Sequence, residues 1–153
     1  MQSFFVICFM VLATGLSQQA LACDCISQPD VTSALQRSAI VFLGVAKSEP
    51  RATQPIPEDK PESYRELEFK VISGFKGVEV DWQKVFLANN NCAYPFQKGE
   101  TYLVYGTAHR RTGRLTVNIC TRTALLRHAI ADLAQLPATF APKAQPPLRA
   151  EWE

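Results

Sequence analysis

Two of the five cysteines in this 153-residue chain stand one residue apart, in the stretch ALACDCISQPD at residues 20–30. A Cys-Asp-Cys group can do four kinds of chemistry. As thiolates, Cys23 and Cys25 would hold a soft metal ion. As a dithiol they would exchange electrons, and as the first cysteine after a small-residue cleavage site Cys23 would accept a lipid anchor. Oxidised, they would become cross-links. No His lies near the pair in sequence, which leaves a metal site short of ligands. Lipid-attachment sites prefer Leu three residues before the cysteine, where this chain has Ala20. A disulfide between Cys23 and Cys25 would close a ring around one intervening residue, which disulfide geometry makes strained. Each cysteine is therefore expected to reach a distant partner.

The residues before the pair predict how it is reached. Residues 4–16, FFVICFMVLATGL, are apolar but shorter than the roughly 20 residues a membrane-spanning helix needs. Polar SQQ and then ALA follow, the layout of a secretory signal over 1–22 with cleavage between Ala22 and Cys23, although Met1-Gln2-Ser3 carries no Lys or Arg. Export predicts a secreted or periplasmic protein. It removes Cys8 and leaves Cys23, Cys25, Cys92 and Cys120, an even set that reads as two disulfides. Either Cys23 pairs with Cys92 and Cys25 with Cys120, or the pairing is crossed. Both options clamp the first residues of the processed chain, which would otherwise fray, and a loop of ~100 residues closed this way stabilises by about 4 to 5 kcal/mol. Sixteen basic and fourteen acidic groups give a net charge of +2, too balanced to suggest a nucleic acid or an acidic membrane as partner. No stable membrane insertion is expected unless Cys23 is lipidated.

The elements that must position these cysteines are mostly strands. Residues 27–38 predict a short helix, with Ser27 as cap, Pro29 in its first turn and Val31, Ala34 and Leu35 on one face. Residues 39–49, AIVFLGVAKSE, predict a largely buried strand with Val41, Leu43 and Val45 on one face. Four prolines over 50–63 predict an exposed loop. Leu67, Phe69 and Val71 alternate with Glu68 and Lys70 in a half-buried strand closed by Gly74 and Gly77. Residues 84–92, GETYLVYGTAH and RLTVNIC supply three more strands, the last two joined by RRTG with Gly113 available for a positive φ. After Cys120, Leu126, Ala129, Ile130 and Leu133 predict an amphipathic helix capped by Thr121 or Thr123. Residues 137–153 hold four of the ten prolines and read as a flexible tail. Five strands with two flanking helices predict a mainly β domain, a closed five-stranded barrel of the OB type with a disulfide-stapled amino terminus.

These features together resemble the amino-terminal domain of the tissue inhibitors of metalloproteinases, and more widely the netrin-like (NTR) domains, in a minimal form of bacterial type. The resemblance rests on a processed chain beginning Cys-x-Cys, a short helix, IVFLGVAKSE, an FKG after the second strand, a lone cysteine before AYPFQKGETYLVYG and a cysteine before the last helix. It covers roughly 23–136. It implies the pairs Cys23–Cys92 and Cys25–Cys120, and an inhibitor of a zinc metalloendopeptidase whose Cys23 amino nitrogen and carbonyl oxygen chelate the target's zinc. The ridge it implies comprises Asp24, Cys25 and Ile26, flanked by Asn90 and Asn91. Animal inhibitors carry a small hydroxyl residue where this chain has Asp24. A carboxylate there must shed its hydration unless a partner meets it. The family's third bridge within this domain and its cysteine-rich second domain are absent from this sequence.

The other reading of the same scaffold is a non-inhibitory NTR or OB-fold module that binds an extracytoplasmic protein or a glycan. Neither reading makes the chain an enzyme, and neither calls for a cofactor or an intrinsic metal. His109 and His128 read as surface residues. The aromatics Phe42, Phe69, Phe86, Tyr102 and Tyr105 could form a stacking platform on an OB barrel, but on apolar strands they read as barrel filling.

Overall fold

The computed structural model describes residues 23, 25, 27–53 and 64–141. Its elements are helix α1 (Val31–Arg37) and strands β1 (Ile40–Ala46), β2 (Arg51–Ala52), β3 (Tyr64–Lys76), β4 (Trp82–Ala88), β5 (Thr101–Ala108), β6 (Leu115–Thr116) and β7 (Ala124–Leu125). A 3-10 turn (Leu126–His128) and helix α2 (Ile130–Leu133) follow. Five strands close into a barrel in the order β1-β3-β4-β6-β5, with β5 returning to β1. Only β4 and β6 run parallel, meeting at Phe86 and Thr116. The expected OB-type barrel is therefore the fold, with β2 and β7 attached outside it on β3 and β5.

Closure depends on β3, which serves two neighbours. Its residues 64–70 pair with β4 and 69–76 with β1, whose ladder carries irregularities between Val41 and Phe42 and between Leu43 and Gly44. Such bulges increase the local twist, and a sheet of so few strands needs that twist to meet itself.

Burial explains why β1 reads as a continuous apolar run. Ile40, Phe42 and Ala46 face the barrel interior with Leu67, Phe69, Val71, Val85 and Leu87. Val41, on the opposite face, joins Val31, Ala34, Leu103, Tyr105 and Ala129 in a second cluster beneath the helices, with Leu43 packed against it. The expected Val41 and Leu43 face is thus the outer one. Phe69 is the hub of the interior, with the rings of Phe42, Phe96 and Tyr102 at 5.4, 5.1 and 6.3 Å, all edge-on.

Each residue of the FKG segment has a separate task. Phe75 packs in the outer cluster. Lys76 Nζ donates to the carbonyls of Leu35 (2.8 Å) and Gln36 (3.0 Å), satisfying the end of α1. Gly77, at φ 64°, ends the strand where any Cβ would collide with the Ala39 carbonyl. Gly74, expected to help close this strand, lies inside β3. Gly113 does take a positive φ, 67°, in the β5–β6 connection.

Several local expectations are corrected. Helix α1 is capped by Asp30, not Ser27: the Ser33 amide donates to Asp30 Oδ1 (2.9 Å) and the Ser33 hydroxyl to Oδ2 (2.7 Å), while Pro29 precedes the cap. The long helix after Cys120 is replaced by β7, the 3-10 turn and the short α2. The reason lies in β5, whose edge at Tyr102 and Leu103 is left open by the short β6 and takes Leu125 and Ala124 as partners. Thr123 does not cap a helix; it is buried, and its hydroxyl accepts from the Tyr105 amide at 2.9 Å. Ile130, expected on the apolar stripe, is 60% exposed. Two of the five aromatics expected to fill the barrel lie outside its interior: Tyr105 belongs to the outer cluster, and Phe86 is half-buried beneath the Arg114 guanidinium, 4.7 Å from its ring centre. Residues 137–141 do not all trail free, since Phe140 bridges Gly74 on β3; the rest of the expected tail, 142–153, lies outside the described residues.

Candidate functional site

The site is built by two turns that the barrel brings side by side. One follows β4 and ends in Cys92; the other follows β6 and ends in Cys120. Because β4 and β6 are parallel neighbours, both turns emerge at the same end of the barrel. Ala93 bridges Asn118, and the Ile119 amide donates to the Cys92 carbonyl at 2.9 Å.

The turns use one local device. In each, an asparagine stands two residues before the cysteine and folds its side chain back onto the cysteine's own backbone. The Cys92 amide donates to Asn90 Oδ1 at 3.0 Å. The Cys120 amide donates to Asn118 Oδ1 at 2.9 Å, and the Thr121 amide joins it at 3.1 Å. Asparagine favours this arrangement because its carbonyl mimics a backbone acceptor at the right reach. Asn118 was not singled out from the sequence, yet Asn-x-Cys occurs twice, at 90–92 and 118–120, and that repetition was its visible signal.

Disulfides join Cys23 to Cys92 and Cys25 to Cys120, each with a Cα separation of 5.3 Å and with partners 69 and 95 residues apart in sequence. All four cysteines are half-buried. The bridges run uncrossed to adjacent turns, so residues 23 and 25 are laid across the mouth formed by those turns. Asn90 and Asn91 are exposed beside them. Asn90 has a structural duty as well as an exposed position, since its side-chain oxygen is committed to Cys92. Asp24 and Ile26, the other two residues of the expected ridge, lie outside the described residues.

With the sulfurs of Cys23 and Cys25 in bonds to distant partners, the pair has no free thiolates for a metal and forms no dithiol with each other. Its remaining polar groups are those of the backbone. His109 and His128 sit elsewhere: His109 Nδ1 bonds Thr112 Oγ1 (3.0 Å) inside the β5–β6 connection, and His128 is exposed on the 3-10 turn.

The turn after Cys120 also reaches inward. Thr123 holds the Tyr105 backbone, and the Tyr105 hydroxyl is buried beside the Asp132 carboxylate without a well-formed hydrogen bond. Burial first, and then that carboxylate's charge, push the phenol up to about 12.

The chain matches no protein-family model and no curated protein at a significant level.

Proposed function

We propose that the processed protein inhibits a zinc metalloendopeptidase, with the backbone amino and carbonyl groups of Cys23 as the zinc-binding pair. The observation that supports this is the double clamp: residues 23 and 25 are each bonded to a neighbouring turn, so these two residues have little freedom left to lose on binding. Catalytic zinc sites keep one position open. An α-amine has an ordinary pKa near 8 and is easily deprotonated by the metal. Asp24, Cys25 and Ile26 would follow Cys23 into the target's cleft, and Asn90 and Asn91 would contact its rim. A Cys23 sulfur held by Cys92 is not available for a lipid thioether, which favours a free amino terminus. The resemblance to the tissue inhibitors of metalloproteinases points the same way. The protein is read as secreted or periplasmic, and its disulfides fit an oxidising compartment.

The test is a titration of several zinc endopeptidases with exported protein whose mass and terminal sequence show Cys23 as an unblocked first residue. Stoichiometric inhibition is expected, and one Ala added ahead of Cys23 should abolish it. Equal inhibition by the extended form would eliminate chelation. Absence of inhibition across the panel, with the amine free, would leave a module that binds a protein or glycan.

A further inference from the structure

Resting on that reading, we infer that Arg122 is the positioning residue of the ridge: it fixes the chain at Pro29, just ahead of the α1 cap. Behind Cys25 the segment must travel to the helix cap at Asp30. Beside it lies a pocket of about 160 Å³ whose lining includes Ser27, Pro29, Ser38, Thr107 and Thr121. Among the described residues, two attachments of this segment come from one turn. Cys120 holds Cys25 covalently, and two residues later Arg122 Nη1 donates to the Pro29 carbonyl at 2.7 Å.

Arg122 is itself fixed. Its Nε and Nη2 donate to Asp132 Oδ2 and Oδ1 at 2.5 and 2.8 Å, a two-point fork onto a carboxylate on α2 that is only 7% exposed. The guanidinium is planar, so two bonds to Asp132 dictate where the remaining nitrogen points. It points at Pro29. The bonds to Asp132 also raise the Arg122 pKa above its usual value, so the fork stays charged throughout the working range. A zinc-chelating residue must be held within about 0.5 Å of its productive place. Through Arg122, 93 residues from Pro29 in sequence, and its partner Asp132, helix α2 takes part in holding it.

The experiment compares the exported protein with an Arg122→Leu/Asp132→Leu double variant. Both charges are removed together, so neither is left buried and alone. Both disulfides and the slow amide exchange of β1, β3 and β5 should survive. Exchange of the amides at residues 31–34, beyond the lost anchor, should quicken, and inhibition should weaken, each by about tenfold or more, the scale of one charge-assisted hydrogen bond. Arg122→Lys, which keeps the charge without the fork, should restore little of either. A purely structural role would loosen the strands and the segment alike. Unchanged exchange at 31–34 in the double variant, or full recovery with Lys, overturns the positioning role. If the parent protein inhibits nothing while the exchange still quickens, the role of Arg122 stands and the inhibitor reading falls.

Discussion

The turns that receive Cys23 and Cys25 are folded by the same Asn-x-Cys device, and they differ in what lies behind them. The turn at 90–93 faces outward: Asn89, Asn90 and Asn91 are exposed. The turn at 118–123 starts exposed at Asn118, which carries two amides instead of one, but runs inward at its end, where Thr123 is buried against β5 and Arg122 is locked to Asp132. One turn leaves its three asparagines exposed while the other ties the segment to the body. Two bridges of one type can thus hold a segment to turns of different surroundings.

The disulfides give the largest way to break this comparison. Replacing Cys23 and Cys92 by Ser, or Cys25 and Cys120 by Ser, should each lower unfolding free energy by about 4 kcal/mol in urea titrations. The two losses should differ by less than about 0.5 kcal/mol, because loop entropy grows only slowly with length. A difference of several kcal/mol between the pairs would show that one turn is stabilised mainly by something other than its bridge. Next come the asparagines. Asn118→Ala should cost about 2 kcal/mol and Asn90→Ala about 1, following the number of amides each side chain accepts, with chemical denaturation as the measurement. Equal costs would remove the distinction between the anchoring turn and the exposed one.

The smallest effect concerns Tyr105, behind the inward turn. Its buried hydroxyl lacks a well-formed bond, so Tyr105→Phe should stabilise by up to about 1 kcal/mol at neutral pH. The phenol is raised to about 12 in the folded state from an ordinary value of 10, so the folded state binds this proton more tightly. The associated stability is fully present below pH 10 and is lost as the pH rises from there toward about 12. The Phe variant should lack this part of the alkaline loss, which thermal midpoints across that range would measure.

Much of the barrel was legible from local pattern. Leu67, Phe69 and Val71 alternate because one face of β3 lines the interior, and β1 is apolar throughout because helices cover its other face. Glycine at 113 announced a turn that only its conformational freedom permits. The region after Cys120 misled because spacing of apolar residues cannot reveal an open strand edge elsewhere. Backbone groups of Tyr102 and Leu103 offered partners to residues 124 and 125, and the helix that the pattern suggested gave way. The device at Asn90 and Asn118 was written in the sequence but acquired meaning only when the cysteines beside it were seen to bond.

The amino-acid order by itself determined the strand content, the barrel class, the even cysteine set and the clamping of residues 23 and 25, since periodic burial and cysteine number are local or countable properties. The tertiary structure decided which sulfur meets which, that both receiving turns stand together, and that Arg122 reaches Pro29 and Asp132 at once. Those outcomes depend on groups far apart in the chain arriving at one place, and only the closed path of the strands determines where that place is.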